Sequence, residues 1–98
     1  MIRLRILTPS SNREHQATAV FLPGAAGAFE VLPSHAPIIS ALTAGEIRWR
    51  EPGSELEIHE HEHEEHSLET IIDSFHVMNI KGGIMRLKND EMTICCEI

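Results

Sequence analysis

The run His59–His66, H-E-H-E-H-E-E-H, is the densest group of side chains in the sequence that could bind a metal. On an extended strand alternate side chains share a face, so His59, His61 and His63 would project together, with His66 close behind. Imidazole nitrogens in such a row bind zinc, nickel or copper. One hypothesis is therefore a small metal-binding β-barrel protein that uses His59, His61, His63 and His66.

The same tract is also typical of a solvated, acidic loop. Low-complexity stretches of this kind are identified on composition alone, and hairpin tips tolerate insertions. The tract would then be a His/Glu-rich extension, around residues 54–70, of a hairpin between two core strands. We favour this interpretation and predict no metal site and no cofactor.

Two other places carry reactive side chains. His35, between Pro33 and Pro37, could act as a general base, but we predict that its imidazole makes a buried hydrogen bond that holds a corner. Loss of such a bond costs about 1–3 kcal/mol.

Cys95 and Cys96 are adjacent, so on a strand they face opposite sides, and we predict two reduced thiols rather than a strained vicinal disulfide.

Catalytic motifs are absent from the sequence. It contains no G-x-S-x-G elbow, no phosphate-binding glycine loop and no zinc-protease helix motif. We therefore predict that the chain is not an enzyme and has no direct small-molecule substrate.

Composition excludes several classes of protein. A chain of 98 residues with 42% hydrophobic residues is one small globular domain, residues 1–98. Its net charge of −7 argues against nucleic acid and against direct binding to acidic lipid. No apolar run approaches the ~20 residues that span a bilayer, and the start is not a signal peptide. We expect a cytosolic protein or one on the cytosolic side of a membrane.

The elements that must position these side chains are strands. Ile2, Leu4 and Ile6 alternate with arginines, which is the period-two pattern of a half-buried strand. The same alternation returns from residue 78 to the end of the chain, around a two-residue Asn89-Asp90 turn, with a bulge or sharp turn at Gly82-Gly83. Short strands with turn signals at roughly 8–12 residue spacing predict an all-β sandwich or barrel.

A rigid corner lies in the segment Gly27–Gly45. Pro33 and Pro37 fix the backbone on either side of Ser34-His35-Ala36, and apolar residues flank them on both sides. A strand is predicted to enter this corner, turn sharply and leave as a second strand. The stiffness indicates a surface whose shape matters.

The residues of this corner also carry a resemblance. The run from Leu22 to Gly45, L-P-G-x-x-G-x-F-x-V-L-P-x-H-A-P-x-x-x-x-L-x-x-G, resembles the amino-terminal domain of the epsilon subunit of F-type ATP synthases. A second block, residues 80–94, is similar to the family's V-S-G-G-F-L-E-V-x-x-N-x-V-T-I, and the opening Leu4–Pro9 resembles the family start.

The resemblance implies an all-β fold, a flattened antiparallel β-sandwich of about ten strands. The family usually carries a second, two-helix domain, whereas this sequence ends after the last predicted strand, so we expect no C-terminal helical domain. The implied function is the central-stalk rotor subunit that links the gamma subunit to the membrane c-ring during proton- or sodium-driven ATP synthesis. The subunit would lie on the cytoplasmic face of the inner membrane and reach the membrane only through the complex.

The resemblance also implies a partner-binding corner for the ring and the gamma subunit. Carried over position by position, it comprises Gly27, Phe29, Glu30, Val31, Leu32, Pro33, His35, Ala36 and Pro37. The family commonly has an acidic residue where this chain has Ala28, and a glycine where it has Ser34. Glu30, on the same strand, is the candidate for supplying the missing charge.

Overall fold

A computed structural model describes residues 1–52 and 75–98. Over these ranges the chain forms nine β-strands. They are β1 (Ile2–Thr8), β2 (Ser11–Ala17), β3 (Ala19–Leu22), β4 (Phe29–Val31), β5 (Ile38–Leu42), β6 (Gly45–Arg50), β7 (His76–Ile80), β8 (Gly82–Lys88) and β9 (Glu91–Glu97). The His/Glu-rich extension predicted around residues 54–70 lies outside the described residues.

The strands form two sheets that pack face to face. The first sheet has the order β2-β1-β9-β8-β5 and the second has the order β4-β3-β6-β7. All neighbouring strands are antiparallel except β1 and β9, which run parallel from Arg3 opposite Glu91 to Leu7 opposite Cys95. The predicted all-β sandwich is confirmed, with nine described strands where about ten were expected.

The core lies between the two sheets and is almost entirely aliphatic. The first sheet contributes Ile2, Leu4, Ile6, Met85, Leu87, Met92 and Ile94, and the second contributes Val20, Leu22, Val31, Ile47, Trp49 and Ile80. No polar or charged side chain of the described residues is buried. Burial of this apolar surface, at about 25 cal/mol per Å², is the main force that holds the sheets together.

Tight turns set the register of the sheets. Asn89 and Asp90 have φ angles of 52° and 59°, which is the left-handed backbone that a two-residue hairpin loop requires. This turn joins β8 to β9, with Lys88 opposite Glu91. At Lys81 the chain passes from β7 in the second sheet to β8 in the first, one residue before the predicted bulge or sharp turn at Gly82-Gly83, and both glycines lie in β8.

Helices play no part in the described structure. None of the described residues forms a helix, and so none forms a helix long and apolar enough to cross a bilayer.

Candidate functional site

The predicted partner-binding residues lie along one lateral edge of the sandwich. β4 is the outermost strand of the second sheet and β5 is the outermost strand of the first, and residues 32–37 join them across the gap. We call the whole stretch from Gly27 to Pro37 the lateral edge. Its members are exposed apart from Phe29, which is half-buried, and Val31, which is part of the core.

The structure does not gather these nine residues at one corner. Gly27 donates a hydrogen bond to the Gly24 carbonyl, and Gly24 pairs with Leu42 at the end of β5. Pro37 immediately precedes Ile38, at the start of β5. Five residues of strand span about 16 Å, at roughly 3.3 Å per residue. The Gly27 end and the Pro33–Pro37 end are therefore far enough apart to contact different partners.

The Pro33–Pro37 end is attached to the rest of the domain by a side chain from another hairpin. The backbone N–H of Ser34 donates a hydrogen bond of 2.7 Å to Oδ1 of Asp90, in the β8–β9 turn. Ser34 has a φ of 68°, a left-handed conformation that is unfavourable for any residue with a Cβ. Glycine, which has no Cβ, adopts such a backbone without this cost.

His35 does not make the buried hydrogen bond that the sequence suggested. Its ring is exposed, and Nδ1 lies 2.7 Å from the carbonyl oxygen of Ala36, its neighbour in the chain. A bond to an adjacent residue at the surface competes with water, so its net contribution to stability is small. The prediction of a buried imidazole was wrong, because residues 32–37 all lie at the surface.

We therefore expect His35→Ala to change the free energy of unfolding by less than about 0.5 kcal/mol, as for other exposed side chains. Thermal unfolding followed by circular dichroism measures this change. A loss above about 1 kcal/mol would show that the imidazole holds the corner.

A second exposed surface lies on the outer face of the five-stranded sheet. Leu7 pairs with Cys95, Cys95 with Ile84, and Ile84 with Ala41, so four small or apolar side chains cross the sheet in one line. Ile39 lies two residues before Ala41 on the same face. We call these five residues the apolar row. Ile39 is 76% exposed and Ile84 is 58% exposed.

The outer face of a sandwich sheet ordinarily carries polar side chains, so the apolar row departs from the pattern. A shallow open groove of about 680 Å³ borders three members of the row, Leu7, Ile84 and Cys95, and continues past Pro9 to Gly82 and Glu97. Contiguous apolar surface rimmed by polar groups is typical of protein–protein contacts. The sequence contained a signal for this surface: Ile38-Ile39 and Ile84-Met85 are adjacent apolar pairs, so one member of each must face outward.

Basic side chains border the apolar row. Arg5 and Arg86 both lie opposite Thr93, and Arg86 also lies opposite Ile39. Four of the chain's eight Lys and Arg residues lie on this face, namely Arg3, Arg5, Arg86 and Lys88. The same face also carries Glu14, Glu91 and Glu97, so its charges nearly balance in a chain of net charge −7.

The opposite lateral edge is closed by a ring cluster. The Glu51 carboxylate lies between two imidazoles, with Oε1 3.3 Å from Nδ1 of His15 and Oε2 3.5 Å from Nε2 of His76. Trp49 lies between the same rings, at centroid distances of 4.9 Å from His15 and 5.6 Å from His76. Because His15 is on β2 and His76 is on β7, the cluster joins the edge strands of the two sheets.

The outer face of the four-stranded sheet carries a second aromatic cluster. Phe21 and Phe75 meet edge to face at 5.3 Å. The Arg48 guanidinium lies 5.2 Å from both rings, and that of Arg50 lies 4.8 Å from Phe75. Such cation–π contacts are worth about 0.5–1 kcal/mol each at exposed sites. The two guanidinium groups therefore cover the aromatic rings on this face.

The predicted cysteine chemistry agrees with the structure. Both thiols are free, with Cys95 exposed on the apolar row and Cys96 buried in the core. Burial raises the pKa of the Cys96 thiol, and the neighbouring Cys95 adds to this shift. The thiolate is the reactive form, so Cys96 is less reactive than an ordinary exposed cysteine.

The metal hypothesis concerns residues that the structure does not describe. His59, His61, His63 and His66 all lie outside residues 1–52 and 75–98. Within those ranges no group of three or more His, Cys, Asp or Glu side chains could hold a metal ion.

Comparison with known proteins points to one family. The family model for the ATP synthase delta/epsilon chain β-sandwich domain matches residues 1–61. The ATP synthase epsilon chain of Rickettsia typhi is 48% identical over 48 residues, which cover 48% of this chain and 44% of the relative. The ATP synthase epsilon chain of Desulforamulus reducens is 27% identical over 96 residues, covering 97% of this chain and 58% of the relative.

Solved structures share the fold at low sequence identity. A chain of the Euglena gracilis mitochondrial ATP synthase superposes with a TM-score of 0.72 at 14% identity, covering 97% of this chain and 49% of that one. A chain of the Tetrahymena thermophila mitochondrial ATP synthase, in a structure of its central stalk and c-ring, gives a TM-score of 0.70 at 8% identity. That match covers 99% of this chain and 63% of the other.

The described strands fall into two separate hydrogen-bonded sheets, which defines the class of the protein as a two-sheet β-sandwich and not a closed barrel. Within that class, the chain belongs to the ATP synthase delta/epsilon chain β-sandwich family. It spans about half the length of the curated relatives it matches, 44% and 45% of the first two. These matches give no support to the metal-binding β-barrel.

Proposed function

We propose that this chain is the epsilon-type subunit of the central stalk of an F-type ATP synthase. In this role it links the gamma subunit to the c-ring and is carried to the cytoplasmic face of the membrane by the complex. It takes no part in the chemistry of ATP formation. The proposal rests on membership of the family, and the exposed surfaces described above give it a physical basis.

The observation that carries the docking argument is the apolar row. Two isoleucines exposed to 76% and 58% on a sheet face are unfavourable in water, and a partner that covers them gains about 25 cal/mol per Å² of apolar surface buried. The bordering arginines suit a partner with acidic groups around an apolar centre. We assign this face, the outer face of the five-stranded sheet that carries the apolar row, to the gamma subunit and call it the gamma face.

The lateral edge is divided between the two partners. Its Pro33–Pro37 end leads directly into β5, which carries Ile39, so this end is continuous with the gamma face. The Gly27 end lies about 16 Å away along β5 and presents the exposed carboxylate of Glu30 together with Phe29. We assign the Gly27 end to the c-ring, where Glu30 supplies the charge that the family commonly has at the position of Ala28.

A rotor element must transmit torque without deforming. The close packing of protein interiors makes them nearly incompressible, and this core is filled by side chains with less than 10% exposure. The ring cluster around Trp49 joins the sheets at one lateral edge, and the backbone of residues 32–37 joins them at the other. Both lateral edges of the sandwich are therefore bridged.

The proposal predicts that the 98-residue chain binds the purified gamma subunit of the same organism, and that metals do not change the affinity. Isothermal titration calorimetry with EDTA, and again with zinc, measures both. Equal affinities are expected, because the described residues of this face include no group of three or more side chains that could hold a metal ion. Failure to bind gamma would contradict the rotor role, and binding that requires zinc would favour a role for the histidine tract.

A further inference from the structure

The Pro33–Pro37 end has few attachments to the rest of the domain. Residues 32–37 are all exposed, so they gain little from packing. Within the described ranges, their only hydrogen bond to a distant part of the chain is the one from the Ser34 N–H to Asp90. The other bond in this segment, between His35 and Ala36, is local.

Asp90 is itself held in place from two sides. Its backbone carbonyl accepts a hydrogen bond of 2.8 Å from the N–H of Arg3 on β1. Its carboxylate uses Oδ1 for Ser34, while Oδ2 lies 4.0 Å from the amino group of Met1. The β8–β9 turn, the start of the chain and the lateral edge therefore meet at one side chain.

Prolines alone do not fix where this segment lies. Each proline ring fixes its own φ, yet the torsions of Ser34 between them decide which way His35 and Ala36 project. Ser34 has a φ of 68°, a conformation that a residue with a Cβ does not adopt by preference. A hydrogen bond to an ionised acceptor is among the stronger kinds and can hold the serine there.

We infer that Asp90 is a positioning residue for partner docking. Through its bond to the Ser34 N–H, the carboxylate holds the Pro33–Pro37 end in the orientation that continues the gamma face. Asp90 need not touch the partner to affect affinity. The part of this inference that concerns binding rests on the proposed function, whereas the part that concerns the orientation of Ser34 does not.

The turn offers a matched pair of variants. Asp90→Gly removes the carboxylate and retains a residue that readily adopts a φ of 59°. Asn89→Gly places the same glycine one position earlier, at a φ of 52°, and leaves the carboxylate intact. Asp90→Asn retains an acceptor oxygen without the charge and serves as the rescue variant.

The first measurement is amide hydrogen exchange at Ser34 in the isolated 98-residue chain, followed by NMR. We expect exchange to accelerate about tenfold or more in Asp90→Gly, as the loss of a charge-assisted hydrogen bond implies. Asn89→Gly should stay within about twofold of the unsubstituted chain. Equal rates in the two glycine variants would overturn the inference.

The second measurement is affinity for the purified gamma subunit. We expect Asp90→Gly to bind about tenfold more weakly, Asp90→Asn to bind within about threefold of the unsubstituted chain, and Asn89→Gly to bind unchanged. Melting temperatures test whether a global loss of stability explains the change. Unchanged affinity in Asp90→Gly would refute the docking role of Asp90. Failure of the unsubstituted chain to bind would instead refute the proposed function, and Ser34 exchange would still test the positioning.

Discussion

Replacing Ile39 and Ile84 together by glutamate is expected to weaken binding to the gamma subunit by at least about a hundredfold. Each isoleucine loses roughly 1.5 kcal/mol or more of burial, and each carboxylate must also be desolvated, so the sum exceeds about 3 kcal/mol. Both side chains are exposed in the free chain, at 76% and 58%. The domain should therefore remain folded.

The chain offers a matched control for this pair. Val77 is a β-branched residue that is 50% exposed on β7, in the other sheet, and Val77→Glu should leave gamma affinity unchanged. Calorimetry gives the affinities, and circular dichroism melts report folding. Normal binding by the double variant, or an equal loss in Val77→Glu, would show that the apolar row is not the gamma face.

Gly83→Ala is expected to have the largest effect on stability. A Cβ at this position would clash with the carbonyl oxygen of Cys95 and lie 2.9 Å from Cα of Cys96, both in the backbone of β9. Backbone atoms within a sheet cannot move aside without breaking the pairing of β8 and β9. We expect a loss of about 3 kcal/mol or more, which corresponds to a fall of roughly 12–24 °C in Tm.

Gly27→Ala tests the backbone preference for glycine without a steric clash, so it is the comparison variant for Gly83→Ala. Gly27 has a φ of 135°, but no atom lies within 4 Å of the position where its Cβ would be. Only conformational strain should therefore appear, at about 1–2 kcal/mol. Differential scanning calorimetry of both variants measures the contrast. A Gly83→Ala protein as stable as Gly27→Ala would mean that β8 and β9 are not as closely paired as described.

Local patterns predicted the strands that bury one face. β1, β8 and β9 alternate strictly, because one side of each meets the core and the other meets water. The positive φ angles at Asn89 and Asp90 followed from residue types that tolerate them. β2 was not predicted, since this outermost strand buries only Ala17 and every residue before Ala17 is polar.

Contacts between residues distant in the sequence account for the features of the structure that the sequence analysis did not predict. The parallel pairing of β1 with β9 joins the two ends of the sequence, and no local pattern encodes it. The hydrogen bond from Ser34 to Asp90 joins residues that are 56 positions apart in the sequence. The candidate site was predicted as a single corner because its residues are close in sequence, but β4 and the segment after it carry them along the whole lateral edge.

The role in a rotary complex is tested most directly in membranes of the source organism. The measurement is ATP synthesis driven by the ion gradient in vesicles from a strain that lacks this gene, with and without the added 98-residue chain. We predict that deletion abolishes coupled synthesis, and that the chain restores it whereas the Ile39→Glu/Ile84→Glu variant does not. Undiminished synthesis in the deletion strain would contradict the assignment to the central stalk.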